Sequence, residues 1–371
     1  MPEELISSIS DADKERLEMT GIELDEKNRS GSFIQTDQHI HHSFSKVEGI
    51  EMLPVDIALE KYDWLKEMFW SLVKPDKDEY TQFVHEREEK DGPRGFAVIA
   101  KKGSKNIFPL QSCLFMQNSE VQTVHNIIVA EEGAELHLIT GCTSSIGREK
   151  GTHYGITETY VGKNALVSNT MIHTWGENIR VLPRSSTRVE ENGTFLSNYV
   201  SMNPVGYVQM YPVADLVGKN AVARFNSIAV AQKGSELDMG QKAILNAEGT
   251  SAELISRLIT TGGKAISRSH IVGAAPETKG HIECKGLILK DGTIHAIPEI
   301  EGRLTNTELS HEAAVGKIAR DEIEYLMARG LSEEEATATI IRGFLDVKVI
   351  GLPVSLQSKI DAAIDAAESG F

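Results

Sequence analysis

Lys219-Asn220-Ala221, Lys233-Gly234-Ser235, Glu248-Gly249-Thr250 and Gly262-Gly263-Lys264 form a stretch in which one corner motif returns at nearly equal steps, centred on positions 220, 234, 249 and 263. Gly and Asn tolerate a left-handed backbone better than other residues, so a recurring Gly or Asn marks a recurring corner. Upstream, the same motif stands at Glu132-Gly133-Ala134, Lys163-Asn164-Ala165 and Asn192-Gly193-Thr194, and downstream at Asp291-Gly292-Thr293. Counted by the Gly or Asn, the full set of intervals is 31, 29, 27, 14, 15, 14 and 29. These are close to one or two multiples of a single unit, the step from Asn220 to Gly234. Between corners the residues alternate, as in Ala134, Leu136 and Leu138 against Glu135 and His137, the pattern of a half-buried strand. Evenly spaced corners predict a solenoid, here a parallel β-helix with a rung about two units long. A β-sandwich would be less regular, and a βαβ fold would need helical segments that this region lacks.

The flanks read differently. Asp11-Ala12-Asp13 leads into Lys14-Glu15-Arg16-Leu17, a charged helical opening. Ile57, Leu59, Tyr62, Leu65, Met68, Phe69 and Leu72 predict a helix from Val55 to Val73 that Pro75 ends. Gly92-Pro93 marks a boundary. From Leu309 onward, Val315, Ile318, Ala319, Ile323, Leu326 and Met327 make a helical stripe that Gly330 stops. Ser332 with Glu335 is a capping box for a helix burying Ala336, Ile340, Ile341 and Phe344, and a third helix is expected from Val354 to Ala367. The expected organisation is a helical or mixed region over 1–94, the β-helix over 95–308, and a C-terminal helical domain over 309–371 that caps the last rung.

With 371 residues, 40% apolar and 25% charged, the chain can bury a full core and has a globular profile. A formal net charge of −16 argues against broad binding to nucleic-acid phosphates and fits a cytoplasmic protein whose partners are proteins. Met1-Pro2-Glu3-Glu4 has no basic region followed by an apolar run, so no secretory leader is expected. No window approaches ~18 uninterrupted apolar residues, so no membrane span is expected. Three cysteines without a C-x-x-C pair make neither a disulfide framework nor a preformed zinc or four-cysteine cluster site. Any metal would need mixed ligands or a second subunit.

Rung length then sorts the candidate ligands. The steps from Cys284 to His311 and from Cys284 to Glu312 are each nearly one rung. If the coil persists that far, these side chains stack on strands ~4.8 Å apart, close enough for thiolate, imidazole and carboxylate to meet one metal or cluster. Cys113 to Cys142 is again one rung, and Cys142 to Cys284 is near five, so all three cysteines fit a common edge. The competing expectation is burial, because alternation puts Cys284 with Ile282 and opposite His281, Glu283 and Lys285. His39 and His41 in Gln38-His39-Ile40-His41-His42 can share a strand face, yet no carboxylate or cysteine supports them at a ligand spacing, so a polar linker is expected. His153, His173, His270 and His295 read as ordinary surface or lumen positions. Gly262-Gly263-Lys264 is no phosphate loop, because Ala265 replaces the Ser or Thr and Leu258 the first Gly. No G-x-S-x-G elbow and no distinctive carboxylate pair is present, which leaves a carbohydrate-active β-helix enzyme as a remote reading.

The order Glu283-Cys284-Lys285, Leu309-Ser310-His311-Glu312-Ala313, Glu324-Tyr325-Leu326, Arg329-Gly330-Leu331, Glu335-Ala336 and Gly343-Phe344 resembles the SufB/SufD family, scaffold subunits of the SUF iron–sulfur cluster assembly machinery. The resemblance is strongest over 280–345 and weak over 1–90. It implies a right-handed parallel β-helix between helical ends, with no catalysis of its own. It also implies an ABC-type ATPase partner, SufC, docking on C-terminal helices that carry Arg329, Gly330, Glu335, Arg342 and Phe344. ATP would enter only through that partner. Cys284 matches the family cysteine of a nascent, transient cluster of iron and sulfide at the interface between two scaffold chains, with Glu312 and His311 as further ligands. Cys142, in Thr140-Gly141-Cys142-Thr143, resembles the cysteine that receives sulfur inside the helix. The chain is shorter than the larger SufB proteins and lacks their N-terminal cysteine-rich motif. Carrying both Cys284 and His311, it is expected to pair with a second copy of itself, or with a SufD-like paralogue, and to meet a sulfur donor and apoprotein acceptors. The alternative is a SufD-like structural partner without its own cluster.

Overall fold

The computed structural model describes residues 3–148 and 150–345. Its centre is a two-sided parallel β-solenoid of about 8 turns. One face is a ten-stranded sheet in the order His39–Ser45, Gly31–Thr36, Leu110–Met116, Glu135–Ser144, Leu166–Thr174, Thr194–Ser201, Val222–Ala231, Ser251–Thr260, Lys279–Ile288, Glu308–Gly316. The second sheet runs from Ile50–Pro54 through Phe96–Ala100, Val121–Ala130, Gly151–Val161, Ile179–Val189, the pair Tyr207–Met210 and Val213–Leu216, Glu236–Leu245 and Lys264–Gly273 to Thr293–Gly302. Pairing is parallel except where the chain enters, at Gly31–Thr36 with His39–Ser45 and at Ile50–Pro54 with Phe96–Ala100.

Most corners expected from the sequence are left-handed, whereas Gly292 is not. Gly103, Gly133, Asn164, Asn192, Asn220, Gly249 and Glu277 all have φ between 54° and 71° and recur once per turn. Each corner is tied to the next by a backbone bond, such as Gly133 N to Lys163 O at 2.8 Å and Asn192 N to Lys219 O at 2.8 Å. The asparagines add a side-chain ladder, Asn220 Nδ2 to Asn192 Oδ1 at 3.3 Å and Asn192 Nδ2 to Asn164 Oδ1 at 3.1 Å. A second line of corners holds Gly234 and Gly262. In two motifs the left-handed residue is the neighbour of the one counted from sequence, Asn192 rather than Gly193 and Gly262 rather than Gly263. Between corners, alternate residues from both sheets fill the lumen, among them Leu114, Phe195 and Leu254 from the first and Val124, Val181 and Leu237 from the second. Each such side chain contributes roughly 1.5–3 kcal/mol by leaving water.

The N-terminal region covers both outer faces. Helix Asp11–Met19, capped by Ser10, packs Leu17 with Ile34, Cys113 and Phe115 on the first sheet. The expected helix from Val55 to Val73 is broken. Val55–Lys61 and Asp63–Met68 are separate helices, and Trp70 then adopts φ 62°. The turn at Trp70 is fixed by a buried charge cluster. His125, on strand Val121–Ala130, places Nδ1 3.2 Å from Glu88 Oε1 and Nε2 3.1 Å from Glu158 Oε2. Only an imidazolium donates at both nitrogens. Glu158 also accepts from the backbone N–H of Trp70, Leu72 and Val73 at 2.6, 2.6 and 3.0 Å, and Trp70 Nε1 donates to Glu88 at 2.7 Å. Burial alone would depress the His125 pKa, but the two carboxylates outweigh it and raise it.

At the other end, sheet pairing overrides the expected helical stripe. Glu308–Gly316 is a strand paired with Lys279–Ile288 from Lys279↔Glu308 to Leu287↔Gly316, so the solenoid runs to residue 316 and Val315 belongs to it. Leu309, His311, Ala313 and Val315 also fit period two, and a ready strand edge decides between the periods. Helices Arg320–Met327 and Glu333–Leu345 follow. Ile341 and Leu345 do not sit over the last rung. They pack on the outer face of the first sheet with Ile139, Ile172, Val200, Ile228, Ile259 and Leu287. Strands Thr293–Gly302 and Glu308–Gly316 are therefore largely exposed edges among the described residues. The helix expected over Val354–Ala367 lies outside the described residues. No described helix is long and apolar enough to cross a membrane.

Candidate functional site

All three cysteines lie on the first sheet, but not on one edge. Cys113 pairs with Gly141 rather than Cys142, which turns Cys113 outward under the N-terminal helix, while Cys142 and Cys284 face the lumen. Burial pushes the Cys113 thiol up to about 12. Burial, reinforced by nearby Cys113, holds Cys142 well above the ordinary thiol range. Cys142 and Cys284 stand five strand steps apart along the sheet, ~24 Å at the normal strand spacing.

The space between them carries a polar seam. Cys142 lies opposite His173, whose Nδ1 is 3.0 Å from the Tyr199 hydroxyl. Tyr199, Ser227, Ser256 and Cys284 then occupy successive positions of one lumenal column. The facing sheet adds Gln241, Ser267 and Ser269. Ser227 Oγ is 3.4 Å from Gln241 Oε1, and Gln241 Nε2 is 3.5 Å from Ser269 Oγ. Ser267 Oγ reaches Ser256 Oγ at 3.1 Å and Cys284 Sγ at 3.8 Å, while Cys284 Sγ is 3.6 Å from Ser269 Oγ. All of these groups are buried. Burial, and then His153, depress the His173 pKa well below its usual value, and burial lowers His153 to about 3. Both histidines are therefore neutral at ordinary pH, and the seam is a line of uncharged hydrogen-bonding groups inside the lumen. His153 is not an unpartnered lumen position, since its Nδ1 is 2.8 Å from Gln122 Oε1.

The last turn closes on Ala313, the residue that pairs with Cys284. A full turn from Cys284 thus ends one position beyond Glu312 and two beyond His311. Glu312 consequently lies opposite Glu283 on the outer face, and His311 lies opposite Ile282, diagonal to Cys284. Cys284 and Glu312 thus project to opposite faces, a correction to the stacked arrangement read from the spacing. His311 shares the inner-facing register with Cys284 but is exposed, since no further strand covers it among the described residues. Outside, a charge network surrounds the same strand. Arg257 pairs with Glu283, and Lys285 Nζ bridges Glu283 at 3.0 Å and Glu312 at 3.1 Å. Burial pushes the Glu283 pKa up, but Lys285 and Arg257 overcome this and hold it below the usual carboxylate value. The Arg257 guanidinium also lies 5.9 Å from the centre of the Phe344 ring. The C-terminal helix therefore touches the network that holds Glu312.

The other residues singled out from sequence have local roles as well. Gly330 ends a helix at φ 102°, and Glu335 completes a capping box with Ser332, 2.8 and 3.1 Å. Arg329 stacks on the exposed Tyr325 ring at 4.6 Å, and Arg342 is exposed. Phe344 is half-buried. His270 lies 4.0 and 3.9 Å from Glu299 and Glu301, and His295 is exposed. Sequence reading passed over Tyr199, Ser227, Gln241, Ser256, Ser267 and Ser269. The signal was available, since Ser227, Ser256 and Cys284 are one rung apart, as are Gln241 and Ser269.

Comparison with known proteins agrees with these features. Residues 114–344 match the family described as SUF system FeS cluster assembly, SufBD core domain. An iron-sulfur cluster assembly SufBD family protein of Archaeoglobus fulgidus is 50% identical over 357 residues, covering 96% of this chain and 95% of the relative. One from Methanothermobacter thermautotrophicus is 42% identical over 361 residues, covering 96% and 88%. A Pyrococcus horikoshii relative of the same description is 33% identical over 366 residues, covering 96% and 81%.

Proposed function

We propose, from the premise that this chain belongs to the SufBD family of iron–sulfur cluster assembly proteins, that it is the non-catalytic scaffold on which a nascent cluster is built. The observation that carries this reading is the position of Cys284. It ends the lumenal polar seam in the last fully buried turn, beside an edge strand that presents His311 and Glu312. In this reading, Cys142 accepts sulfur within the lumen and Cys284 holds the iron of the nascent cluster, with the polar seam lying between them. The cluster is cargo. With one thiolate per chain and oxygen or nitrogen donors completing its shell, it would be labile enough to pass on.

Two further elements belong to the same reading. The exposed edges Glu308–Gly316 and Thr293–Gly302 are templates for pairing with another chain, and a second copy would bring its own Cys284 and His311 to the junction. The helices carrying Arg329, Gly330, Glu335, Arg342 and Phe344 are the docking face for an ABC-type ATPase of the SufC kind. Movement of Phe344 would be felt by Arg257 and, through Glu283 and Lys285, by Glu312. One observation favours the second reading, a SufD-like structural subunit: Cys284 is 1% exposed and hydrogen-bonded to serines, as a purely structural cysteine would be.

Thiol labelling separates the two. Co-expressed with its ATPase, the complex should hold two copies of each chain by light scattering, and nucleotide should speed modification of Cys284. A complex with one copy of this chain, or a Cys284 labelling rate indifferent to nucleotide, contradicts the gated-scaffold reading.

A further inference from the structure

We propose that His39 and His41 form a two-imidazole binding site for a first-row divalent cation of the Zn(II) type, on the first edge strand of the solenoid. The two rings lie 4.5 Å apart between centroids, edge to face. Both side chains are exposed and neither makes a hydrogen bond or ion pair with a described residue. They do not occupy a linker, because His39–Ser45 is a strand paired with Gly31–Thr36.

A backbone irregularity falls at these histidines and turns His42 to the face of His39. Gln35 pairs with Ile40 and Ile34 with His42, so His41 is an extra residue with no partner opposite. That is a β-bulge, a feature that re-aims side chains. Its effect can be followed on both sides of it. Ile40 stays packed against the lumenal core, while His39 and His42 pair with Thr36 and Ile34, two positions apart and hence on one face. In an unbulged strand, His39 and His42 would point to opposite sides. The bulged His41 is left beside His39.

His42 is otherwise engaged, 3.8 Å from Glu26 and packed on Phe44 at 4.6 Å. His39 and His41 are the free pair. Among the described residues no group of three or more His, Cys, Asp or Glu gathers for a metal, so the chelate is bidentate and leaves coordination positions open. Imidazole pairs of this kind suit zinc, cobalt, nickel, copper and iron rather than magnesium or calcium. The site lies at the opposite edge of the ten-stranded sheet from Glu308–Gly316, so it is separate from the candidate cluster site and does not rest on it.

The test uses untagged full-length protein carrying Cys284→Ser, titrated with Zn(II) by calorimetry and with Cu(II) by electron paramagnetic resonance. One Zn(II) per chain is expected, with nitrogen hyperfine structure from two imidazoles on copper. His39→Ala and His41→Ala should each weaken Zn(II) binding by about tenfold or more, and His42→Ala should leave it unchanged. Circular dichroism melting checks that the variants, all at exposed or half-buried positions, keep the fold. Binding that survives in His39→Ala and His41→Ala, or no Zn(II) uptake by the parent up to about millimolar metal, overturns the proposal.

Discussion

Replacing His125 by Ala should unlatch the N-terminal region from the second sheet. The side chain is fully buried between Glu88 and Glu158, bonds both carboxylates, and stacks on Phe69 with ring centroids 3.8 Å apart. Its removal leaves Glu158, also fully buried, charged and held only by three backbone N–H groups. Breaking one side of a buried ion pair costs about 3–5 kcal/mol, because the remaining charge is uncompensated. The loss should fall on the segment 69–73, where Trp70 is held at φ 62° by those same bonds. Urea denaturation should shift by that amount, and hydrogen exchange at Trp70, Leu72 and Val73 should accelerate while the lumenal strands stay protected. The wild-type protein should also respond to pH. Because the folded His125 pKa is raised, its stabilisation is complete below the unfolded value of about 6.5 and fades as pH rises through the folded value. A His125→Ala variant within about 1 kcal/mol of wild type, or a latch that tightens at alkaline pH, would refute the imidazolium reading.

Three smaller predictions accompany it. Tyr199→Phe removes the hydrogen-bond partner of the buried His173 Nδ1 and should cost roughly 1–3 kcal/mol in denaturant unfolding; a change of a few tenths would mean His173 is satisfied another way. Arg257→Ala leaves the half-buried Glu283 with Lys285 alone and removes the cation–π contact to Phe344. It should cost roughly 1–3 kcal/mol and loosen helix Glu333–Leu345 in hydrogen exchange, and an unchanged exchange rate would show that the network does not communicate with that helix. Asn220→Ala, at φ 57° within the asparagine ladder, should cost about 1–2 kcal/mol while Asn220→Gly costs less; equal melting temperatures for the two would argue against left-handed strain at the corner.

The solenoid was legible because its signal is repeated. One line of corners takes a left-handed residue in every turn, so Gly and Asn at Gly133, Asn164, Asn220 and Gly249 report the rung length directly. Glu277 carries the same conformation without a glycine or asparagine and is invisible to that count. The ends were less legible. Leu309 to Val315 fits both a helix and a strand, and the choice depends on the free edge of Lys279–Ile288, which no local pattern encodes. Trp70 breaks a helix whose apolar spacing is intact, because Glu158, far along the chain, captures the backbone N–H groups there. At the candidate site, burial of Cys284 was correctly expected from alternation, whereas its partner on the next strand was not. The step from Cys284 to Glu312 is nearly one rung, but side chains alternate at every position, so an error of one moves Glu312 to the other face. The polar seam escaped notice because serines in strands are ordinary until two sheets bring them together.

The most direct test of the scaffold reading is anaerobic reconstitution of the chain, co-expressed with the proposed ABC-type ATPase, using iron and sulfide. Iron and acid-labile sulfide would be measured in the wild type, Cys284→Ser and Glu312→Ala. The account predicts a bound cluster in the wild type, none in Cys284→Ser, and a depleted one in Glu312→Ala, the carboxylate having first to leave Lys285. Full cluster content in Cys284→Ser would contradict it and would place this chain among the purely structural members of its family.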